Sequence, residues 1–161
     1  MVSDIPITTQ SIHDKYPCTY CARVLFFCII EVVMKMYEYF NPNPNPNINA
    51  SDCVVRAFSK AFDISWESAY VMLSAQGYQD RDIFASDRVW NNLLAEMGYE
   101  RKMIPDTCPI CYTIADFATE NDKGTYIIGT GRHAVTVENG CIYDSWDSSR
   151  ETVLFYFKVK E

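Results

Sequence analysis

The chain has 161 residues, enough for one domain with a real core. Apolar residues make up 48% of it and aromatics 14%, which excludes a disordered polymer. The formal net charge is −7 with no Lys/Arg cluster, and this argues against a nucleic-acid partner, since phosphate binding needs a basic face.

Residues 1–33 are polar, then cysteine-rich, then abruptly apolar, without capping or turn logic. Two readings stand for residues 1–35. They are an N-terminal extension upstream of a natural start at Met34 or Met36, or they carry an extra helix from about Pro17 to Tyr39 packed on the domain. The apolar run Val24–Ile30 is broken by Glu31 and is too short to span a bilayer. It follows no basic region and precedes no small-residue cleavage site. The chain holds seven cysteines (18, 21, 28, 53, 108, 111 and 141). An odd count fits a reducing compartment better than a disulfide framework. The expectation is a cytoplasmic protein with no membrane partner, whose single domain spans 36–161.

That domain opens on Asn41-Pro-Asn-Pro-Asn-Pro-Asn47. Alternating proline fixes φ and removes donors, giving a short non-helical lead-in. Ser51 or Asp52 can cap the helix that follows, from 52 to 62. Its apolar residues Val54, Val55, Ala57, Phe58, Ala61 and Phe62 cover most of its surface, so it is central and buried. Arg56, Ser59, Lys60 and Asp63 share what remains. Ser65 caps a second helix from Trp66 to about Gln76, closed by Gly77. Ser86 caps a third, Asp87–Met97, closed by Gly98, and Thr113 a short fourth, Ile114 to about Thr119. Strands follow at Thr125–Gly129, Arg132–Glu138, Cys141–Trp146 and Thr152–Val159, with a weaker one at Tyr99–Ile104. Helices first and then a mostly antiparallel sheet is an α+β layout. Trp66, Tyr70, Phe84, Trp90, Phe155, Tyr156 and Phe157 are assigned to the core and the sheet packing.

The chemistry centres on Cys53 and His133. There are two histidines, and the other, His13, lies in the N-terminal stretch. A cysteine in the first helical turn is favoured as a thiolate, the nucleophilic form, by the helix dipole. Its backbone N–H is free at that helix end and is an oxyanion donor. A second donor is sought just upstream, at Asn47 or Asn49, with Asn45 less suited. Asn139-Gly140 between two alternating runs is a hairpin signal that pairs Glu138 with Cys141. Val135 then lies opposite Asp144 and His133 opposite Trp146, so His133 and Asp144 are diagonal neighbours on one face. Asp144 is therefore the orienter for the imidazole, with Asp147 the alternative if a bulge shifts the register. Trp146 shields the pair or lines the cleft, or else packs in the core. Alone, a cysteine in an apolar helix reads as core and a histidine on a strand as a satisfied polar group. Helix-start placement, a same-face acid and Cys-before-His order together point to nucleophilic chemistry.

The stretches Asp52-Cys-Val-Val-Arg-Ala57, Gly131-Arg-His-Ala-Val135 and Tyr143-Asp-Ser-Trp-Asp147 resemble the papain-like cysteine peptidase superfamily, especially its small bacterial and phage members. The resemblance runs from Met36 onward. The Asn-Pro lead-in, Ile104-Pro-Asp-Thr-Cys-Pro109 and the Trp-Asp ending also resemble a group of small bacterial proteins with no known activity. The superfamily resemblance implies a papain-like fold, with the central helix starting at the nucleophile. It further implies Cys53 as nucleophile, His133 as general base and acid, and Asp144 as orienter. Two departures matter. The superfamily places a Gln several residues before the Cys, and no Gln lies between 11 and 75; Val54-Val55 replaces the common Gly or Trp.

Cys18-Thr-Tyr-Cys21 and Cys108-Pro-Ile-Cys111 are weighed as a zinc site or a redox pair, but their separation and context favour a structural loop. No cofactor or metal is called for. The expectation is a thiol hydrolase cleaving an amide or isopeptide bond in a peptide or protein substrate. The alternatives are an inactive fold serving as a binding or effector protein, and a deamidase or acyltransferase using the same triad.

Overall fold

The computed structural model describes residues 36–45, 51–107 and 109–161. Among these, the elements run β1 (Tyr37–Tyr39), α1 (Cys53–Phe62), α2 (Trp66–Asp80), α3 (Asp87–Glu96), β2 (Arg101–Met103), α4 (Ile114–Glu120), β3 (Thr125–Gly129), β4 (Ala134–Glu138), β5 (Cys141–Asp144) and β6 (Phe155–Lys160). The described residues form an α+β arrangement, with four helices and a six-stranded mixed sheet. No helix among the described residues is long and apolar enough to cross a membrane.

The helix starts follow from hydroxyl caps. Ser65 Oγ accepts the Ser68 N–H at 3.2 Å and Ser86 Oγ the Val89 N–H at 3.4 Å. Thr113 and Asp116 form a reciprocal capping box at α4. Each satisfies a donor that the first helical turn leaves unpaired. Asp52 occupies the N-cap position of α1, but its side chain makes no capping bond and is committed elsewhere. The expected end of α2 at Gly77 is corrected. The helix runs on to Asp80, and Arg81 takes the left-handed cap at φ 55°. Gly77 is instead an interior packing position, where a Cβ would lie 2.8 Å from the Asp82 carbonyl oxygen as the chain folds back.

The sheet order is β1-β5-β4-β3-β6-β2. Four pairings are antiparallel, and β1 lies parallel to β5, with Tyr39 beside Asp144. The helices-first order is thus corrected at two places, since β1 precedes α1 and β2 falls between α3 and α4. Tyr37–Tyr39 is a strand, not the end of a helix from Pro17. Backbone bonds from Ile142 N to Met36 O (2.8 Å) and from Phe40 N to Asp144 O (2.7 Å) continue the ladder at either end. The remainder of that segment lies outside the described residues. The β4–β5 hairpin has the expected register, Glu138 with Cys141, Val137 with Ile142 and Thr136 with Tyr143. Asn139 (φ 50°) and Gly140 (φ 76°) both take the left-handed conformation that a type I′ turn needs.

Two apolar clusters flank the sheet. Val55, Phe58 and Ala61 of α1 pack with Leu73, Trp90 and Leu94 against Ile127, Phe155 and Phe157 on one face. Ile114 and Phe117 of α4 pack on Tyr126, Ile128, Val135, Val137 and Ile142 on the other. Fully burying one such large side chain stabilises by about 1.5–3 kcal/mol. Of the aromatics assigned to the core, Trp90, Phe155 and Phe157 are buried. Trp66, Tyr70 and Phe84 instead stack at the rim, and Tyr70 is 37% exposed. Thr136 Oγ1 donates to the Ala57 carbonyl at 2.8 Å and ties β4 to α1. That tie seats α1 on β4, so that the start of α1 lies by the start of β4.

Candidate active site

Cys53 is the first residue of α1 and a half-buried free thiol. The His133 ring and the Ala134 backbone N–H are the polar groups that act on its sulfur. Burial pushes the thiol pKa up. The His133 ring, the Ala134 N–H and the charges of His133 and Arg56 pull it down, and the result lies below the ordinary thiol value. The dipole at the N-terminus of α1 acts in the same direction.

The expected strand from Arg132 is corrected, since β4 starts at Ala134 and its ladder with β5 stops at Thr136 and Tyr143. His133 stands immediately before β4, where its carbonyl accepts the Thr130 N–H at 2.9 Å. Nε2 of its ring lies 2.5 Å from Asp144 Oδ2. Nδ1 is then the nitrogen that faces the Cys53 sulfur. Burial alone would lower the imidazole pKa, but the bonds and charges of Asp144 and Cys53 raise it to about 9. The pair is therefore arranged to exist as thiolate and imidazolium.

Asp144, the last residue of β5, is 3% exposed. Its two carboxylate oxygens divide their work. Oδ2 takes His133, while Oδ1 accepts the Ser145 N–H at 2.7 Å and lies 3.6 Å from Arg56. Strand β1 holds the Asp144 backbone, through Phe40 N (2.7 Å) and Tyr37 OH (3.3 Å) donating to its carbonyl.

The structure thus brings Cys53, His133 and Asp144 into one contiguous array. It does not bring Asp147 to the imidazole. That carboxylate is exposed and accepts the Ser149 N–H at 3.1 Å, closing a local turn instead. Trp146 is 46% exposed, which overturns the core alternative. Its ring sits 5.3 Å from that of His133 with a 42° tilt, so it covers the imidazole from the solvent side.

Asn47 and Asn49 lie outside the described residues. Asn45 is exposed, and its N–H donates to Asn43 Oδ1 at 2.9 Å. Among the described residues, Asn43 reaches the N-cap of α1, its Nδ2 donating to Asp52 Oδ2 at 2.8 Å. Of the two Cys-x-x-Cys pairs only Cys111 is described, and it is exposed. Among the described residues no group of three or more His, Cys, Asp or Glu is placed to hold a metal.

Sequence reading missed Arg56, Asp52, Asn43 and Trp66 as neighbours of the site. Arg56 pairs with Asp52 one turn back on α1, and Trp66 Nε1 donates to Asp52 Oδ2 at 2.9 Å. The i, i+4 spacing of Asp52 and Arg56 is the signal that marks the pair. No protein-family model, curated protein or solved structure matches the chain.

Proposed function

We propose that the protein is a papain-like thiol hydrolase that cleaves an amide or isopeptide bond of a peptide or protein substrate. The observation that carries this reading is the gathering of the Cys53 thiol, the His133 ring and the Asp144 carboxylate, with His133 bonded to Asp144 and acting on the sulfur. The thiol pKa is lowered and the imidazole pKa raised. Two titratable groups pushed toward opposite charge states identify the nucleophile and the proton carrier.

In this mechanism the Cys53 thiolate adds to the carbonyl carbon, and the Cys53 backbone N–H at the start of α1 donates to the oxyanion. The His133 imidazolium gives its Nδ1 proton to the leaving amine as the C–N bond breaks, leaving a thioester on Cys53. Neutral His133 then takes a proton from water, whose oxygen adds to the thioester. The C–S bond breaks and the thiolate returns to the imidazolium. Asp144 keeps the ring oriented throughout and stabilises its charge. Turnover needs thiolate and imidazolium together. It therefore rises with pH through the depressed thiol limb and falls as pH passes about 9, where His133 loses its proton. The Gln-free stretch from 11 to 75 and the Val54-Val55 pair favour a narrow substrate over general proteolysis.

The test is acyl capture followed by intact-protein mass spectrometry, using activated acyl esters and peptide amides. Wild type is expected to gain the acyl mass transiently on Cys53, and Cys53→Ala to lose turnover by at least about 10³-fold. Clearance by water marks a hydrolase, and clearance only by an added amine an acyltransferase. Turnover by Cys53→Ala equal to wild type, with no adduct on Cys53, would contradict the reading.

A further inference from the structure

On α1, Arg56 follows Cys53 by three positions and Asp52 by four, so the three side chains share one helix face. The Arg56 side chain is only 11% exposed although nothing in its sequence context demands burial. One end of its guanidinium pairs with Asp52 Oδ1. The other end, NH2, lies 3.6 Å from Asp144 Oδ1, the oxygen that His133 does not use. Asp52 is a fixed anchor. Its Oδ2 accepts from Asn43 Nδ2 at 2.8 Å and from Trp66 Nε1 at 2.9 Å, so the Asn-Pro segment, α1 and α2 all hold it. A buried carboxylate needs such partners, and the guanidinium, bonded to Asp52, reaches Asp144 as a charge at ion-pair distance.

We propose that Arg56 is a positioning residue: anchored on Asp52, its guanidinium holds the Asp144 carboxylate so that Oδ2 faces Nε2 of His133. The proposal rests on the thiol-hydrolase reading and adds a chain of charge, Asp52–Arg56–Asp144–His133–Cys53, that spans the helix and the hairpin. An ion pair serving only the fold would end at Asp52, whereas this one continues to the orienter. The Arg56 charge also lies among the causes that lower the Cys53 thiol. The Asp144 and Asp147 charges also act on Tyr37 of β1, and Tyr37 and Asp147 stay unchanged in the variants below.

The experiment follows iodoacetamide alkylation of Cys53 against pH by peptide mapping. It compares wild type, Arg56→Lys, Arg56→Met and the double variant Asp52→Asn/Arg56→Met, with circular dichroism as the check on folding. The double variant removes the buried pair as a unit and so avoids stranding an unpaired carboxylate. Loss of Arg56 is expected to move the acid limb of Cys53 alkylation up by about one pH unit in Arg56→Met and in the double variant. Arg56→Lys, which keeps the charge but not the fork, should recover part of that shift. A folded Arg56→Met or double variant with the wild-type limb overturns the proposal. Loss of fold in all three variants also overturns it, by assigning Arg56 to the scaffold. An ordinary thiol limb in wild type is a different failure, that of the hydrolase reading itself.

Discussion

Asp144 and Asp147 sit three residues apart, and geometry gives them different work. Asp144 is buried at the end of β5 with one oxygen on His133, while Asp147 is exposed and caps its own turn. Asp144→Ala is expected to slow Cys53 alkylation at neutral pH by about tenfold or more, since one unit of pKa is worth a factor of ten. Asp147→Ala should leave it within about twofold, as expected of an exposed carboxylate screened by solvent. Equal effects of the two substitutions would contradict the assignment. Cys53, His133 and Asp144 were legible in the sequence because each rests on a local rule: a helix start, a two-residue turn and the alternation of a strand. Arg56 was not. A polar residue on a helix reads as solvated unless the partner that buries it is known, and that partner, Asp144, is far along the chain.

At the scale of elements, the clear signals were the capped helices and the Asn139-Gly140 hairpin. Strand β1 was missed because three residues show no alternation and its parallel partner is more than a hundred positions away. The length of α2 was misjudged because Gly77 reads as a stop, although the returning 82–84 segment makes it a close-packing site. Gly129 in β3 is a comparable site within the sheet. A Cβ there would lie 2.3 Å from the Phe155 ring, and that ring stacks on Trp90 at 5.3 Å. Neither ring is free to retreat, so Gly129→Ala is expected to destabilise by about 1–3 kcal/mol, as overpacking does. Urea unfolding measures it, with the midpoint lowered and the slope kept. A midpoint equal to wild type would show that the Phe155 contact is looser than described.

Within the unit 36–161, helices on both faces of the sheet leave one end where the start of α1 meets the start of β4 and the end of β5. Every residue of the proposed chemistry gathers there, so the sheet register and the seat of α1 together set the spacing from sulfur to imidazole. The central claim is that this arrangement activates Cys53. The most direct measurement is the pH dependence of iodoacetamide labelling at each cysteine, in wild type and in His133→Ala. Cys53 is expected to label along a limb below the ordinary thiol value of about 8.5. His133→Ala is expected to move the Cys53 limb up toward the ordinary thiol range. A Cys53 limb at the ordinary thiol value in wild type, unmoved by His133→Ala, would contradict the account.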